Sequence, residues 1–375
     1  MKVYLVGGAV RDAILDVPVK DRDWVVVGAT HEQMLEQGYT MADPEFPVYH
    51  HPQTGEEYAL ARKEQKTAAG YRGFELIYTP DVTLAEDLQR RDLTINAMAQ
   101  DFETGEIIDP FNGQEDLHDG FLRHVSHDFV DDPIRLLRIA RFAARFGVWG
   151  FRVAHGTHAL LKKMVRSSEL NAIVPERLWQ ETERALADSA PDRYFHVLNQ
   201  SGALAVLFPE LAVLFMLPEA HQKAQGLSKL ALAAKTIESA ESRCAILFGQ
   251  LTVEAFDKVV VRMPMPKRFQ QITQQVIHAQ ISLGNELSDE QVLNWVKQQD
   301  GFKKTDRFTR ICQIIKVIKP AVIHNIEFLQ RCQEALLPVS VKQLDITGLK
   351  GAQIGEKLDQ ARREVIASVK KEVMT

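Results

Sequence analysis

Apolar and polar positions change rhythm about a third of the way along the chain. In the first part the apolar runs are short and sit between turn residues: Val3-Tyr4-Leu5-Val6, Trp24-Val25-Val26-Val27 and Tyr58-Ala59-Leu60-Ala61. Runs of this length, rich in Val and aromatic residues, predict strands. A glycine turn after Val6 leads into a short helix expected from Val10 to Leu15. Leu84 to Ala99 reads as a helix leading into a short extended piece. Lys63 to Gly73, polar, basic and glycine-containing, predicts a mobile loop. From Asp132 onward the apolar spacing becomes helical. Helices are predicted near 133–146, 155–166, 175–188, 191–200, 222–240, 269–281, 289–298, 304–318, 323–335 and 354–372. Pro133 suits a first helical turn, with Asp132 as the cap before it. Pro209 and Pro218 bracket a boundary. No strand-rich region and no fixed-period repeat is read after residue 150. The pattern predicts an α+β chain with a mixed head and an elongated all-α remainder.

Composition narrows this picture. A length of 375 residues suggests two or more domains. No apolar run is long enough to span a membrane, and the N-terminus lacks the pattern of a signal peptide. Cys244, Cys312 and Cys332 are widely spaced and odd in number. They read as reduced thiols of a cytoplasmic protein, with no zinc pattern. The net charge of −5 hides an asymmetry. Residues 1–140 carry 13 Lys and Arg against 26 Asp and Glu, and the remaining 235 carry 32 against 24. An acidic front suits metal binding and a basic rear suits a polyanion, although surface variation gives such differences too.

The chemistry concentrates in three blocks. In the first, Leu5-Val6-Gly7-Gly8-Ala9-Val10-Arg11-Asp12 precedes Asp21-Arg22-Asp23. Carboxylates two apart on a strand face the same way. They repel unless a cation lies between them. Magnesium takes one or two carboxylates plus substrate phosphates, and a Gly-Gly turn lets backbone approach a triphosphate. Together these point to nucleotidyl transfer, with Asp21 and Asp23 as Mg2+ ligands and catalytic residues. Glu57 is the candidate third carboxylate. A lone Asp-x-Asp pair is more often a solvated strand end; the glycine turn ahead of it favours function. The second block is Arg90-Arg91-Asp92-Leu93-Thr94-Ile95-Asn96-Ala97. Its guanidiniums suit phosphate, Asp92 is expected to orient one of them, and Thr94 and Asn96 to fix the local backbone.

The third block is Asp131-Asp132-Pro133-Ile134-Arg135-Leu136-Leu137-Arg138. On a helix, 132, 135 and 138 step along one side. Asp132 only accepts hydrogen bonds and Arg135 only donates. Cytosine and adenine present an amino donor beside a ring acceptor, and uracil and guanine the reverse order. The pair therefore matches C or A, and a wrong base leaves buried polar groups unpaired at about 1–3 kcal/mol each. Taken alone, the same block is an N-capped helix with a solvated Arg stripe.

In this order and spacing, GG-A-V-R-D, D-R-D, R-R-D-L-T-I-N-A, D-P-F-N-G and D-D-P-I-R-L-L-R-I-A-R-F resemble the bacterial class II CCA-adding tRNA nucleotidyltransferases. The detailed resemblance covers roughly residues 1–210. It implies a nucleotidyltransferase head (1–140), a helical neck (141–208), a body (209–335) and a tail (336–375). The implied activity is addition of CTP, CTP and ATP to tRNA 3′ ends without a nucleic-acid template, by a monomer. By motif, Gly8, Arg11, Arg91, Arg135 and Arg138 would bind the nucleotide, Asp132 with Arg135 would select the base, and Asp21 and Asp23 would hold Mg2+. Pro175 to Glu181 resembles a neck motif with a structural role. Arg62 to Phe74 matches a flexible element tied to the change from C to A, and Ile346 to Gly355 matches a tail element. Lys258, Arg262, Lys267 and Arg268 are candidates for a tRNA track.

Two departures stand out. Asp131 replaces the usual Glu. Gly249-Gln250 stands where relatives with a metal phosphohydrolase domain carry His-Asp, so no such hydrolase activity is expected. His118-Asp119 and His127-Asp128 lack upstream ligand spacing and read as surface residues. The rivals are a poly(A) polymerase, whose relatives carry extra N-terminal sequence and a basic C-terminus, and a catalytically silent tRNA-binding protein. The pI of about 6.2 argues against the first, and the intact Asp21 and Asp23 against the second.

Overall fold

A computed structural model describes residues 1–43, 46–67, 73–167, 169–215, 227–283 and 287–374. The chain divides into two compact units, Met1–Pro209 and Glu210–Thr375. The first is built on a seven-stranded sheet. Its strands are β1 (Lys2–Val6), β2 (Asp23–Val27), β3 (Thr40–Asp43), β4 (Val48–His50), β5 (Glu57–Leu60), β8 (Ala99–Asp101) and β9 (Ile107–Ile108). Their spatial order is β3-β4-β5-β2-β1-β8-β9. All neighbours run antiparallel except β2 and β5.

Alternation along β2 sends Val25 and Val26 to opposite faces. Val25 packs with Tyr4, Val6, Val82, Leu88 and Ala97, and Val26 with Met34, Tyr39, Tyr49, Tyr58 and Leu60. Asp23, two residues before Val25, opens on the Val25 face. It is the register partner of Val6 on one side and Glu57 on the other. The acidic strand end therefore lies next to the turn that ends β1.

That turn starts helix α1 (Gly8–Ile14). Gly7 adopts φ +70°, and a Cβ there would lie 3.0 Å from Arg91 Nη1, so both backbone angle and space call for glycine. Helix α3 (Leu84–Gln89) begins with a capping box in which Thr83 and Glu86 each accept the other's backbone N–H. A short turn, Thr94–Asn96, follows it. Helix α4 (Gly113–Asp119) docks on that turn. Asp109 accepts from the Gly113 and Gln114 N–H groups at 2.7 and 2.9 Å, which gives the Asp-Pro-Phe-Asn-Gly stretch a capping role.

Helix α5 (Ile134–Phe146) buries Leu136, Leu137, Ile139, Ala140 and Ala143. It packs on α7 (Pro175–Ala187) and α8 (Pro191–Ser201) within the first unit, so the division expected at residue 140 falls inside that unit.

Several expectations need correction. Lys63 to Gly73 is not simply a loop, because β6 (Lys63–Lys66) pairs antiparallel with β7 (Phe74–Ile77). The tip, 68–72, lies outside the described residues. Helix α5 starts at Ile134 rather than 133, although Asp132 still accepts the Ile134 N–H at 3.0 Å. Beyond residue 150 a single two-residue strand, Arg152–Val153, pairs parallel with Phe121–Leu122 among the described residues, so the expectation of no strand-rich region there stands.

The second unit is helical in its described residues, with Trp295, Phe308, Ile311, Ile315, Leu329 and Ile366 in one core. Helix Ala352–Met374 packs on Asp289–Gln298 and Ile323–Leu336, so the division expected at 335 also lies inside a unit. In place of one helix over 222–240, helix Leu227–Ala234 ends and Ala240–Phe248 begins after a break, followed by Val253–Arg262. Residues 222–226, and Pro218, lie outside the described residues.

Candidate active site

Three groups of candidate residues meet around the start of β2. One pocket of about 350 Å³ is lined by Gly7, Gly8 and Asp23 from the sheet side, and by Arg91, Asp92 and Asn96 from the segment after α3. Arg11 of α1, and Asp132, Arg135, Arg138, Arg141, Phe142 and Arg145 at and along α5, complete it. Every nucleotide-binding candidate read from the sequence lines this pocket. Asp21, Asp23 and Glu57 line an adjoining groove together with Lys20, Arg22 and Glu56. Asp23 belongs to both.

The acidic pair differs from expectation in one respect. β2 begins at Asp23, so Asp21 stands in the connection before the strand, and strand alternation does not set its direction. Glu57 opposes Asp23 in the β2–β5 register. All three are exposed. Nearby carboxylates are already taken: Glu56 accepts from Trp24 Nε1 at 3.0 Å and lies 3.7 Å from Arg22, and Asp12 holds Arg11. Asp21, Asp23 and Glu57 have no such partner among the described residues. Also among the described residues, no three His, Cys, Asp or Glu side chains are gathered to hold an ion by themselves. An all-oxygen donor set that needs further oxygens from a substrate suits magnesium.

Arg11 is 3% exposed. Its Nε and Nη2 meet Asp12 Oδ1 at 2.8 and 2.7 Å, its Nη1 donates to Asn96 Oδ1, and its guanidinium lies over the Phe142 and Phe146 rings. Burial lowers its pKa, with Asp12 opposing the shift. Asn96 passes the connection on, donating from Nδ2 to Asp92 Oδ1 at 3.0 Å. Asp92 Oδ2 receives Arg138 Nε at 2.8 Å. Desolvation alone would raise the Asp92 pKa, but Arg138 and the hydrogen bonds bring it down to about 2. Asp92 therefore orients Arg138 rather than one of its neighbours Arg90 and Arg91. Those two are held by Asp87: Arg90 at 2.7 Å and Arg91 at 3.1 Å. Asn96 does more than fix the local backbone, since it links Arg11 to the Asp92–Arg138 pair. An Asn four residues after an Asp on a short turn is too common a spacing to have announced this.

At the start of α5, Arg135 is 7% exposed, and its Nη1 and Nη2 donate to the backbone carbonyls of Asp128 (2.9 Å) and Arg90 (2.7 Å). Its plane is fixed by the main chain and not by Asp132. Asp132 gives one oxygen to the Ile134 N–H and keeps the other as an acceptor. Burial raises its pKa, outweighing that hydrogen bond and the nearby Arg135, Arg177 and Arg138. Asp132 and Arg138 also border a second cavity of about 910 Å³, whose other walls include Arg62, Glu64, Phe74 and Tyr78 at the hairpin and Arg177 of α7. In α7, Glu181 accepts from Arg141 Nε at 2.6 Å, which ties the neck-like motif to α5.

The remaining candidates lie elsewhere. His118 meets Asp119 at 2.9 Å on the surface, and His127 and Asp128 are exposed. In the second unit, a Cβ at Gly249 would fall 2.2 Å from the Ala245 carbonyl oxygen, so this backbone leaves no room for a histidine there. Gln250 Nε2 donates to the Ile246 carbonyl at 2.9 Å.

Comparison with known proteins bears on the family. The poly A polymerase head domain matches residues 3–123, and the probable RNA and SrmB-binding site of polymerase A matches residues 150–215. The chain is 42% identical to the multifunctional CCA protein of Thioalkalivibrio sulfidiphilus (strain HL-EbGR7), over 99% of each chain. It is 41% identical to the CCA-adding enzyme of Coxiella burnetii (strain RSA 331 / Henzerling II), over 98% of this chain and 96% of that one. A tRNA nucleotidyltransferase solved with a primer tRNA and an incoming ATP analog superposes with a TM-score of 0.63 at 25% identity, covering 90% of this chain and 97% of that one. Similarity at this level along almost the whole length makes the chain a member of the CCA-adding enzyme family of nucleotidyltransferases.

Proposed function

We propose that this chain adds C, C and A to the 3′ end of tRNA from CTP and ATP, with amino acids in place of a nucleic-acid template. One observation carries the reading. A single pocket has an acceptor carboxylate and a fixed guanidinium, Asp132 and Arg135, at one end, and the glycine turn with Arg11 and Asp23 elsewhere along it. Six arginines and three aspartates line it, which favours a polyanion. Arg91 Nε is buried with no acceptor, the vacancy that a phosphate oxygen would fill.

In this reading Asp132 accepts the amino N–H of cytosine or adenine while Arg135 donates to the ring nitrogen. Arg11, Arg91 and Arg138 meet the sugar-phosphate part. The tRNA 3′-hydroxyl oxygen attacks the α-phosphorus, the bond to the β-phosphate breaks, and pyrophosphate leaves. Asp21 and Asp23, with Glu57 beside them, are the residues that would hold Mg2+. Bound there, magnesium would lower the pKa of the attacking hydroxyl and offset charge on the leaving pyrophosphate. Gly8 lines the pocket with bare backbone, and a Cβ there would meet Arg11 Nη2 at 3.4 Å, an ordinary contact.

The test uses tRNA ending at its discriminator base, magnesium, and labelled CTP and ATP. The expected product is CCA followed by a stop. Long A tails would assign a poly(A) polymerase instead, and binding without incorporation a silent module. Asp21→Ala should lower incorporation by several orders of magnitude while tRNA still binds; loss of tRNA binding in this variant would contradict its assigned role.

A further inference from the structure

The proposed reaction leaves one well-placed cation of the pocket without a task. Arg135, Arg138, Phe142 and Arg145 follow one another along the pocket side of α5. At a rise of about 1.5 Å per residue, Arg145 lies roughly 15 Å beyond Arg135 along the axis. An extended nucleoside triphosphate has a comparable length. With its base at Asp132 and Arg135, its terminal phosphate comes to the Arg145 end.

Arg145 is built into that position. Its Nη2 donates to Asp12 Oδ2 at 3.1 Å, and its guanidinium lies 5.3 Å from the Phe146 ring centroid. The other oxygen of Asp12 is occupied by Arg11. One carboxylate thus sits between two guanidiniums and neutralises only one. Arg145 offers five N–H groups, uses one on Asp12, and keeps 36% of its side chain exposed. Arg141, the adjacent guanidinium, differs: Glu181 binds it at 2.6 Å and its side chain is 13% exposed. Arg145 is therefore the more open of the two cations at this end of the pocket.

We propose that Arg145 binds the terminal phosphate of the incoming nucleotide and the pyrophosphate that leaves, and that Asp12 is a positioning residue that sets Arg11 and Arg145 on the same anion. This rests on reading the pocket as the nucleoside triphosphate site. A contact to the β,γ end stabilises charge on the leaving group and takes no part in choosing the base.

The test compares CTP, CMP and pyrophosphate on the full chain. Arg145→Gln should weaken CTP binding about tenfold, as expected for loss of one charge-assisted contact. Inhibition by pyrophosphate should weaken by a similar factor. CMP binding and the preference for CTP over UTP should stay as in the unaltered protein. Equal losses for CTP and CMP, or no loss for either, would overturn the proposal. Arg145→Met, which keeps the length of the side chain but not its charge, gives the same readout if the Gln variant does not fold. Asp12→Asn, which loosens Arg11 as well as Arg145, should weaken CTP and pyrophosphate together. Failure of the unaltered chain to bind CTP at all would instead remove the underlying reading of the pocket.

Discussion

Asp132 carries a charge that its surroundings make variable. Burial raises the pKa of its carboxyl, while Asp92, which lines the same pocket, is brought down to about 2 by Arg138 and its hydrogen bonds. The consequences run in opposite directions. Asp92 stays ionised through the working range; its contribution to stability is complete above about pH 4 and is lost as the pH falls toward 2. Asp132 gains its proton first on acidification. A protonated carboxyl donates, so it tolerates the carbonyl of uracil where the carboxylate does not. The CTP-over-UTP preference should therefore fall, by about tenfold, on acidification, at a pH above the ordinary aspartate range. Asp132→Asn should show a low preference that hardly changes with pH. A flat profile in the unaltered chain would detach Asp132 from base choice. At this scale the sequence identified residue types but not pairings. Arg90, Arg91 and Asp92 are consecutive, yet Asp92 reaches Arg138 across 46 positions, and no local spacing announces that. The same applies to Arg145, whose partner Asp12 lies 133 positions away.

Elements were legible where burial is one-sided. Helix α5 keeps its apolar side on α7 and α8 and its arginines on the pocket, so its period showed in the sequence. Helix Ala240–Phe248 buries every residue from Ser242 to Phe248, which erases the 3.6-residue stripe, and it was missed. The β6–β7 hairpin was read as loop because Lys63-Glu64-Gln65-Lys66 has no apolar face to alternate. The capping stretch at Asp109 had turn chemistry in the sequence, but its purpose appears only in three dimensions. Gly113 lets α4 press against the turn that carries Asn96. A Cβ at Gly113 would lie 2.3 Å from the Thr94 carbonyl oxygen and 2.9 Å from Met98 Cγ. Gly113→Ala should cost about 1–3 kcal/mol in chemical denaturation. It should also slow incorporation, because the Arg11–Asn96–Asp92 link moves with that turn. Unchanged stability and unchanged rate would show that α4 is not needed to place it.

On the scale of the whole molecule, charge is arranged more locally than composition suggests. Residues 1–140 are strongly acidic, with 26 carboxylates against 13 cations. The pocket is nevertheless lined by six arginines and three aspartates, two of the arginines, Arg141 and Arg145, supplied by α5 beyond residue 140. The claim at the centre is that amino-acid side chains read the base. The most direct measurement is a crystal structure of the full chain with CTP and magnesium. The account predicts the cytosine amino group on the Asp132 carboxylate, its ring nitrogen at Arg135, and the triphosphate running past Arg11 with an ion at Asp21 and Asp23. A cytosine edge turned away from Asp132 and Arg135 would contradict it.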